Sequence, residues 1–251
     1  RSDYPAGKAV PYIGWYKGQT RLKVANDVPV TDEAQPRVIG PELEVKSNVK
    51  AKKPAPKPTY NALIVDPDKI EGLEFDGKVD DAFWKKIPII NLRPFGNAPR
   101  MPGWTKIFST DEHLYVGVRV SDPHAWGTLK ERDSKTWTQE VLEVFIDVNG
   151  DGRDYLELQV TPTGTVFDAH FVDRLGQGEG SREAQIDRAK AFNLEGLEVK
   201  VHVDGTVNDD SDRDKAWTVE MKIPLKSIPG LEGAPEPGDE WAVNVYRFDR
   251  P

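Results

Sequence analysis

HLYVGVRVSDP (His113 to Pro123), TLKERDS (Thr128 to Ser134) and WTQEVLEVFIDVNGDGRDYLELQVTPTGTVFD (Trp137 to Asp168) decide how this chain folds. In the first stretch Leu114, Val116, Val118 and Val120 alternate with Tyr115, Gly117 and Arg119, the period of a strand. The third predicts strands at Val141 to Asp147, Tyr155 to Val160 and Thr165 to Val172, joined by turns rich in Asp, Asn and Gly. Polar and aromatic residues interrupt these apolar runs: Trp137, Glu140, Glu143, Glu157 and Gln159. A flat aromatic beside carboxylates and an amide on a rigid sheet suits a polyol better than it suits most catalysis. The ring covers C–H groups while the planar polar groups reach hydroxyls.

Working outward, Asn61 to Val65 and Leu73 to Phe75 read as short strands, and Asp80 to Lys86 as one helical turn capped by Asp80. Glu198 to Val203, Trp217 to Ile223 and Glu240 to Phe248 complete the set. Short strands separated by Gly, Pro and Asp turns make an all-β, antiparallel β-sandwich of jelly-roll type. Residues 174–193 are the long insertion, with a helical turn expected near Ala184 to Ala191.

The first 59 residues follow other rules. They hold eight of the twenty prolines and end in KAKKPAPKP, Lys50 to Pro58. Alternating Lys and Pro disfavours both helix and sheet and makes a stiff, extended linker. Upstream, Leu22 to Val30 suits a short strand, and Tyr12, Trp15 and Tyr16 cluster within PYIGWYKG. The expected organisation is therefore a Pro-rich arm over 1–59 and a sandwich over 60–251. The arm is either draped or disordered, or it grips a larger protein assembly through its aromatic cluster.

With 42 acidic and 34 basic residues the formal charge is −8, which argues against a nucleic-acid partner, since phosphate neutralisation needs a basic face. Cysteine is absent, which removes disulfides, thiolate nucleophiles and Cys-ligated metals and fits an exported bacterial protein. No apolar run reaches the roughly 18 residues of a membrane-spanning helix.

Five segments, in order, resemble the carbohydrate-binding module family 9-like β-sandwich over about residues 70 to 250. FDGKVDDAFWKKIP is similar to that family's opening DG…D…W segment, and DEHLYVGVRVSDP to its LY…V…D strand. WTQEVLEVFIDVNGDG resembles its W…D…E…F…D run, with Glu140 where Asp is usual. GTVNDDSDRDKAWTVEMKIPL and WAVNVYRFDR resemble its last two segments. The resemblance implies non-catalytic, extracytoplasmic recognition of a sugar or polysaccharide end in an aromatic clamp, with calcium as a structural ion. It puts Trp137 in the clamp and Glu143 on sugar hydroxyls, and leaves the position facing Trp137 open, with Arg247 or Tyr246 near it and Trp126 as the alternative. A subunit that kept the fold, lost the sugar and scaffolds an assembly through its arm is the alternative.

Each candidate also has a plain structural reading. Trp137 either stacks on a sugar or covers the sandwich edge. Glu143, Glu157 and Gln159 either meet hydroxyls or are buried, the acids paired with Arg119 or Arg247. Asp147, Asn149 and Asp151 have the oxygen spacing of a calcium loop, but also that of a tight Asx-rich hairpin turn. His113, His124, His170 and His202 lack metal spacing, Met221 sits among core positions, and Met101 is the remaining methionine, so no haem is expected.

Overall fold

The computed structural model describes residues 59–93 and 101–249; among residues 1–58 it describes only the backbone of two-residue strands. These pair antiparallel: Lys8–Ala9 with Leu43–Glu44, Tyr12–Ile13 with Val38–Ile39, and Tyr16–Lys17 with Thr20–Arg21. The strand expected at Leu22 to Val30 lies outside the described residues. Backbone contacts divide the chain into Arg1–Thr59 and Tyr60–Pro251.

Within Tyr60–Pro251 the described residues form an all-β sandwich with one short α-helix. Its strands are β1 (Leu63–Ile64), β2 (Ile90–Asn91), β3 (Gly103–Ser109), β4 (His113–Ser121), β5 (Val141–Asp147), β6 (Tyr155–Val160), β7 (Val166–Phe171), β8 (Glu198–Asp204), β9 (Ala216–Pro224) and β10 (Ala242–Phe248). The larger sheet runs β8-β9-β4-β3-β1, with β2 also on β3; the smaller runs β7-β6-β5-β10. All pairings are antiparallel except β1 with β3, which is parallel.

Alternation explains the core. Leu114, Val116, Val118 and Val120 of β4 and Trp217, Val219, Met221 and Ile223 of β9 face Leu142, Val144 and Ile146 of β5 and Leu156, Leu158 and Val160 of β6. All are at most 4% exposed, which makes this seam the main source of hydrophobic stabilisation.

The larger sheet is covered on its outer side as well. Val79, Phe83, Trp84 and Ile87 pack on Phe108 and Tyr115, with the Phe108 and Tyr115 rings stacked 4.4 Å apart. Trp84 lies so close to β4 that a Cβ on Gly117 would meet Val79 Cγ1 at 2.5 Å and the Trp84 ring at 3.2 Å. Gly77 (φ +92°) and Trp84 donate from N–H and Nε1–H to the buried Glu220, which ties the covering turn to β9. Asp81, rather than Asp80, organises this turn: its Oδ1 accepts from Phe83 N and Trp84 N at 2.8 and 2.9 Å. Leu73 to Phe75 is not a strand, because it runs in the loop leading to that cover.

β3 and β2 have no counterpart in the alternation pattern. Thr105 to Ser109 are buried on both faces, Lys106 included, whose Nζ donates to Trp84 O at 2.5 Å. The insertion forms helix α1 (Arg182–Ala189), capped by Ser181 Oγ accepting from Ala184 N. α1 packs Ala189 and Ile186 against Phe167, Phe171 and Tyr155 on the outer side of the smaller sheet.

Candidate functional site

The outer face of the smaller sheet carries the interrupting residues, and strand register arranges them in rows. One row reads Phe167–Gln159–Glu143–Tyr246 across β7, β6, β5 and β10; the next reads Ala169–Glu157–Phe145–Asn244. With strands about 4.8 Å apart, the first row spans about 14 Å from Phe167 to Tyr246. Two polar side chains thus lie between two aromatic ones.

Trp137 comes from a short 3₁₀ turn (Thr136–Thr138) before β5 and packs edge-on against Phe167, ring centroids 5.4 Å apart. That turn also orients the amide: Thr136 Oγ1 donates to Gln159 Oε1 at 2.5 Å, and Gln159 Nε2 donates to Glu157 Oε1 at 2.5 Å. At the other end of the row Tyr246 packs against Phe145 at 5.7 Å and is 42% exposed.

The polar groups are largely covered: Glu143 is 6%, Glu157 7% and Gln159 2% exposed. Burial raises the Glu157 carboxyl to about 7, against the opposing pull of the Gln159 hydrogen bond and the Arg182 charge. Glu157 therefore titrates near neutrality, and Gln159 is held in one orientation by a hydroxyl on one side and a carboxyl on the other.

The structure brings Trp137, Glu143, Glu157 and Gln159 onto one face. Arg247 is not among them. One residue along from Tyr246, it projects to the opposite side of β10. There its Nη2 donates to Asp122 Oδ2 at 2.6 Å, beside Trp217 Nε1, which donates to the same oxygen at 3.1 Å. Arg119, on the outer side of the larger sheet, lies opposite Trp104 and Thr218. Neither arginine is thus placed to pair with Glu143 or Glu157. Trp126 stands apart from the row, in the loop after β4, where its N–H donates to Glu140 Oε2 at 3.1 Å. Glu140 is raised to about 8, by burial first and then by the Asp122 carboxyl against it.

Phe167 and Thr136 had no signal of their own in the sequence; strand register is what puts one in the row and the 3₁₀ turn puts the other over it. A cleft of about 670 Å³ opens between residues 127–130, the turn at 163–165 and Asn208.

The calcium-like loop is closed on itself. Asp147 Oδ1 and Oδ2 accept from Gly150 N and Gly152 N, both at 2.8 Å, Asn149 Oδ1 from Asp151 N at 3.0 Å, and Asp151 Oδ1 from Arg153 N at 2.7 Å. These oxygens accept from backbone donors of the loop, the arrangement of an Asx-rich turn. Among the described residues no group of three or more His, Cys, Asp or Glu is placed to hold a metal.

Residues 75–250 match the family described as carbohydrate family 9 binding domain-like, and the chain belongs to that family. Its five sequence segments are largely fold-forming: Asp122, Trp217 and Arg247 meet at one end of the sandwich, and Trp84 and Glu220 meet on its outer side. Among solved structures the chain is similar to a family 9 carbohydrate-binding module from Caldicellulosiruptor kristjanssonii in complex with cellotriose, at 18% identity, over 75% of this chain and 77% of that one, TM-score 0.46. A glucose complex of a module from the same organism gives 19% identity, 73% and 74% coverage and a TM-score of 0.44. No curated protein sequence matches the chain significantly.

Proposed function

We propose that this sandwich binds carbohydrate reversibly and without catalysis on the outer face of its smaller sheet. The observation that carries the reading is the row Phe167–Gln159–Glu143–Tyr246, with Trp137 packed on Phe167: two polar groups between aromatic flanks. Family membership supports the same reading. Trp137 and Tyr246 supply flat apolar contact, Glu143 accepts from hydroxyls, and the Gln159 amide, fixed by Thr136 and Glu157, presents a set pattern of donor and acceptor. An extracytoplasmic setting goes with such a ligand.

A glycan array followed by calorimetry tests the proposal. Trp137→Ala and Glu143→Gln should each weaken the recognised glycan tenfold or more, as loss of an anchoring aromatic or of a polar contact does elsewhere. Parent-like binding by both variants would put the site elsewhere. Release of reducing ends from the bound glycan would overturn the non-catalytic part. Should no glycan bind, the scaffolding use, through an arm over residues 1–59 and the sandwich surface, takes its place.

A further inference from the structure

Glu157 stands in the second row of the outer face, between Ala169 of β7 and Phe145 of β5, whose side chains offer no hydrogen bond. On its own strand the same face carries Gln159 on one side and Tyr155 on the other. Tyr155 stacks on Phe171 with ring centroids 5.2 Å apart, and α1 closes over that end through Ile186 and Ala189. The hydrogen bond to Glu157 comes from a neutral donor, Gln159 Nε2, whose amide oxygen in turn accepts from Thr136 Oγ1. One cation acts on the carboxyl. It is Arg182, exposed at the start of α1, whose charge opposes the effect of burial without outweighing it. The other titratable groups of the face are Glu143, opposite Gln159, and the phenols of Tyr155 and Tyr246. Phe167, Ala169 and Phe171 of β7 and the Thr136–Thr138 turn bring no charge to it.

We infer that Glu157 gates this face: the ligand seats over the row while the carboxyl is neutral and leaves as it ionises. The inference rests on the carbohydrate reading above and adds its regulation. Two effects give the sign. A neutral polyol laid across the rows displaces the water that still reaches Glu157, which is 7% exposed. The anion loses more from that than the acid does, so a covered face favours the protonated form. The acid also keeps an O–H to donate to a ligand oxygen, whereas the carboxylate only accepts. A ligand hydroxyl donating to the carboxylate would act the other way. Against that, Oε1 is already engaged by Gln159, and the side chains of Ala169 and Phe145 flank the group. Binding is then linked to proton uptake above the midpoint of the free carboxyl, which burial lifts to about 7. The face holds its ligand in mildly acid surroundings and releases it above neutrality.

The test is affinity against pH. Trisaccharides of β-1,4-linked glucose, xylose or mannose and of α-1,4-linked glucose are titrated into the full chain by calorimetry at pH 6, 7 and 8. Each titration is run in phosphate and in imidazole, which differ in ionisation enthalpy. Affinity for a bound trisaccharide should fall about tenfold from pH 6 to pH 8, with heats at pH 8 that depend on the buffer. Glu157→Gln, of the same shape but without a charge, should bind equally at pH 6 and pH 8 and give buffer-independent heats. Arg182→Ala removes the cation that favours the anion, so its fall should begin at higher pH. A merely structural Glu157 would move neither the slope nor its midpoint. Affinity flat with pH, or rising with it, overturns the gate and leaves the carbohydrate reading standing. A fall that persists in Glu157→Gln, or stays in place in Arg182→Ala, assigns the titration to another group and also overturns the gate. Should Glu157→Gln lose its melting transition and fail to fold, the Arg182→Ala midpoint decides alone. No binding of any trisaccharide at any pH overturns both readings.

Discussion

Arg247 Nη2 donates to Asp122 Oδ2 at 2.6 Å, joining the last strand of the smaller sheet to the end of β4 in the larger one. The side chains are 9% and 2% exposed, so the pair is shielded from solvent screening. Glu140 lies against Asp122, its carboxyl raised to about 8 by burial first and then by the Asp122 and Asp249 charges, and Arg247 Nη2 also lies 3.4 Å from Asp249 Oδ2.

Removing the cation should therefore be costly. Arg247→Met leaves Asp122 buried with its Trp217 and His124 N–H donors but without its cation, and we expect a loss of about 3–5 kcal/mol in urea unfolding. Asp122→Asn combined with Arg247→Met should lose less than Arg247→Met alone, because the stranded charge is gone. A loss below about 1 kcal/mol for Arg247→Met would mean that water reaches the pair and screens it.

Raised carboxyls make stability depend on pH: Glu140 and Glu157 most plainly, with Glu220 and Asp133 pushed the same way by burial. A carboxyl with a folded pKa above its unfolded value near 4.3 holds more protons in the folded state, so stability falls as pH rises. The contribution is fully present below the unfolded value and is lost as pH rises through about 7 for Glu157 and about 8 for Glu140. For Glu157 the change is at most about 4 kcal/mol. Melting temperature should thus fall between pH 5 and pH 9, and Glu157→Gln with Glu140→Gln should flatten the curve. An unchanged slope in the double variant would place the dependence in other groups.

The loop after β5 should stand without calcium. With Asp147 accepting two backbone N–H groups, Asp147→Ala should destabilise the fold by about 1–3 kcal/mol, the cost of leaving such donors unmet. EDTA should leave the parent's melting temperature unchanged. A fall in EDTA that calcium, but not magnesium, restores would show that the loop opens to take the ion.

Where the sequence was legible, one face of a strand met the core and the other did not have to. β5 and β6 could be read with their polar residues in place, because Glu143, Glu157 and Gln159 break an otherwise apolar period. β3 could not be read so: Lys106 is buried under the Trp84 turn on one face and Thr105, opposite Val118, on the other, so no alternation marks the strand. The same limit governed the second aromatic. Tyr246 and Arg247 are neighbours in the chain, yet a strand turns them to opposite faces, and only the register of β10 on β5 says which one meets Glu143. The arm's aromatic cluster lies outside what side-chain geometry describes. Trp137 was legible as a candidate, but its seat on Phe167 depends on a 3₁₀ turn that no periodicity announces.

The fit of Gly117 beneath Val79 and Trp84 has a consequence for how such a chain diversifies. One back of the sandwich is sealed by its own sequence, and any side chain at residue 117 would prise the seal away. On the proposed reading, new specificities would be written on the other back. There Trp137 arrives on a connecting segment rather than on a strand, so that ring can be exchanged without reaching the buried seam.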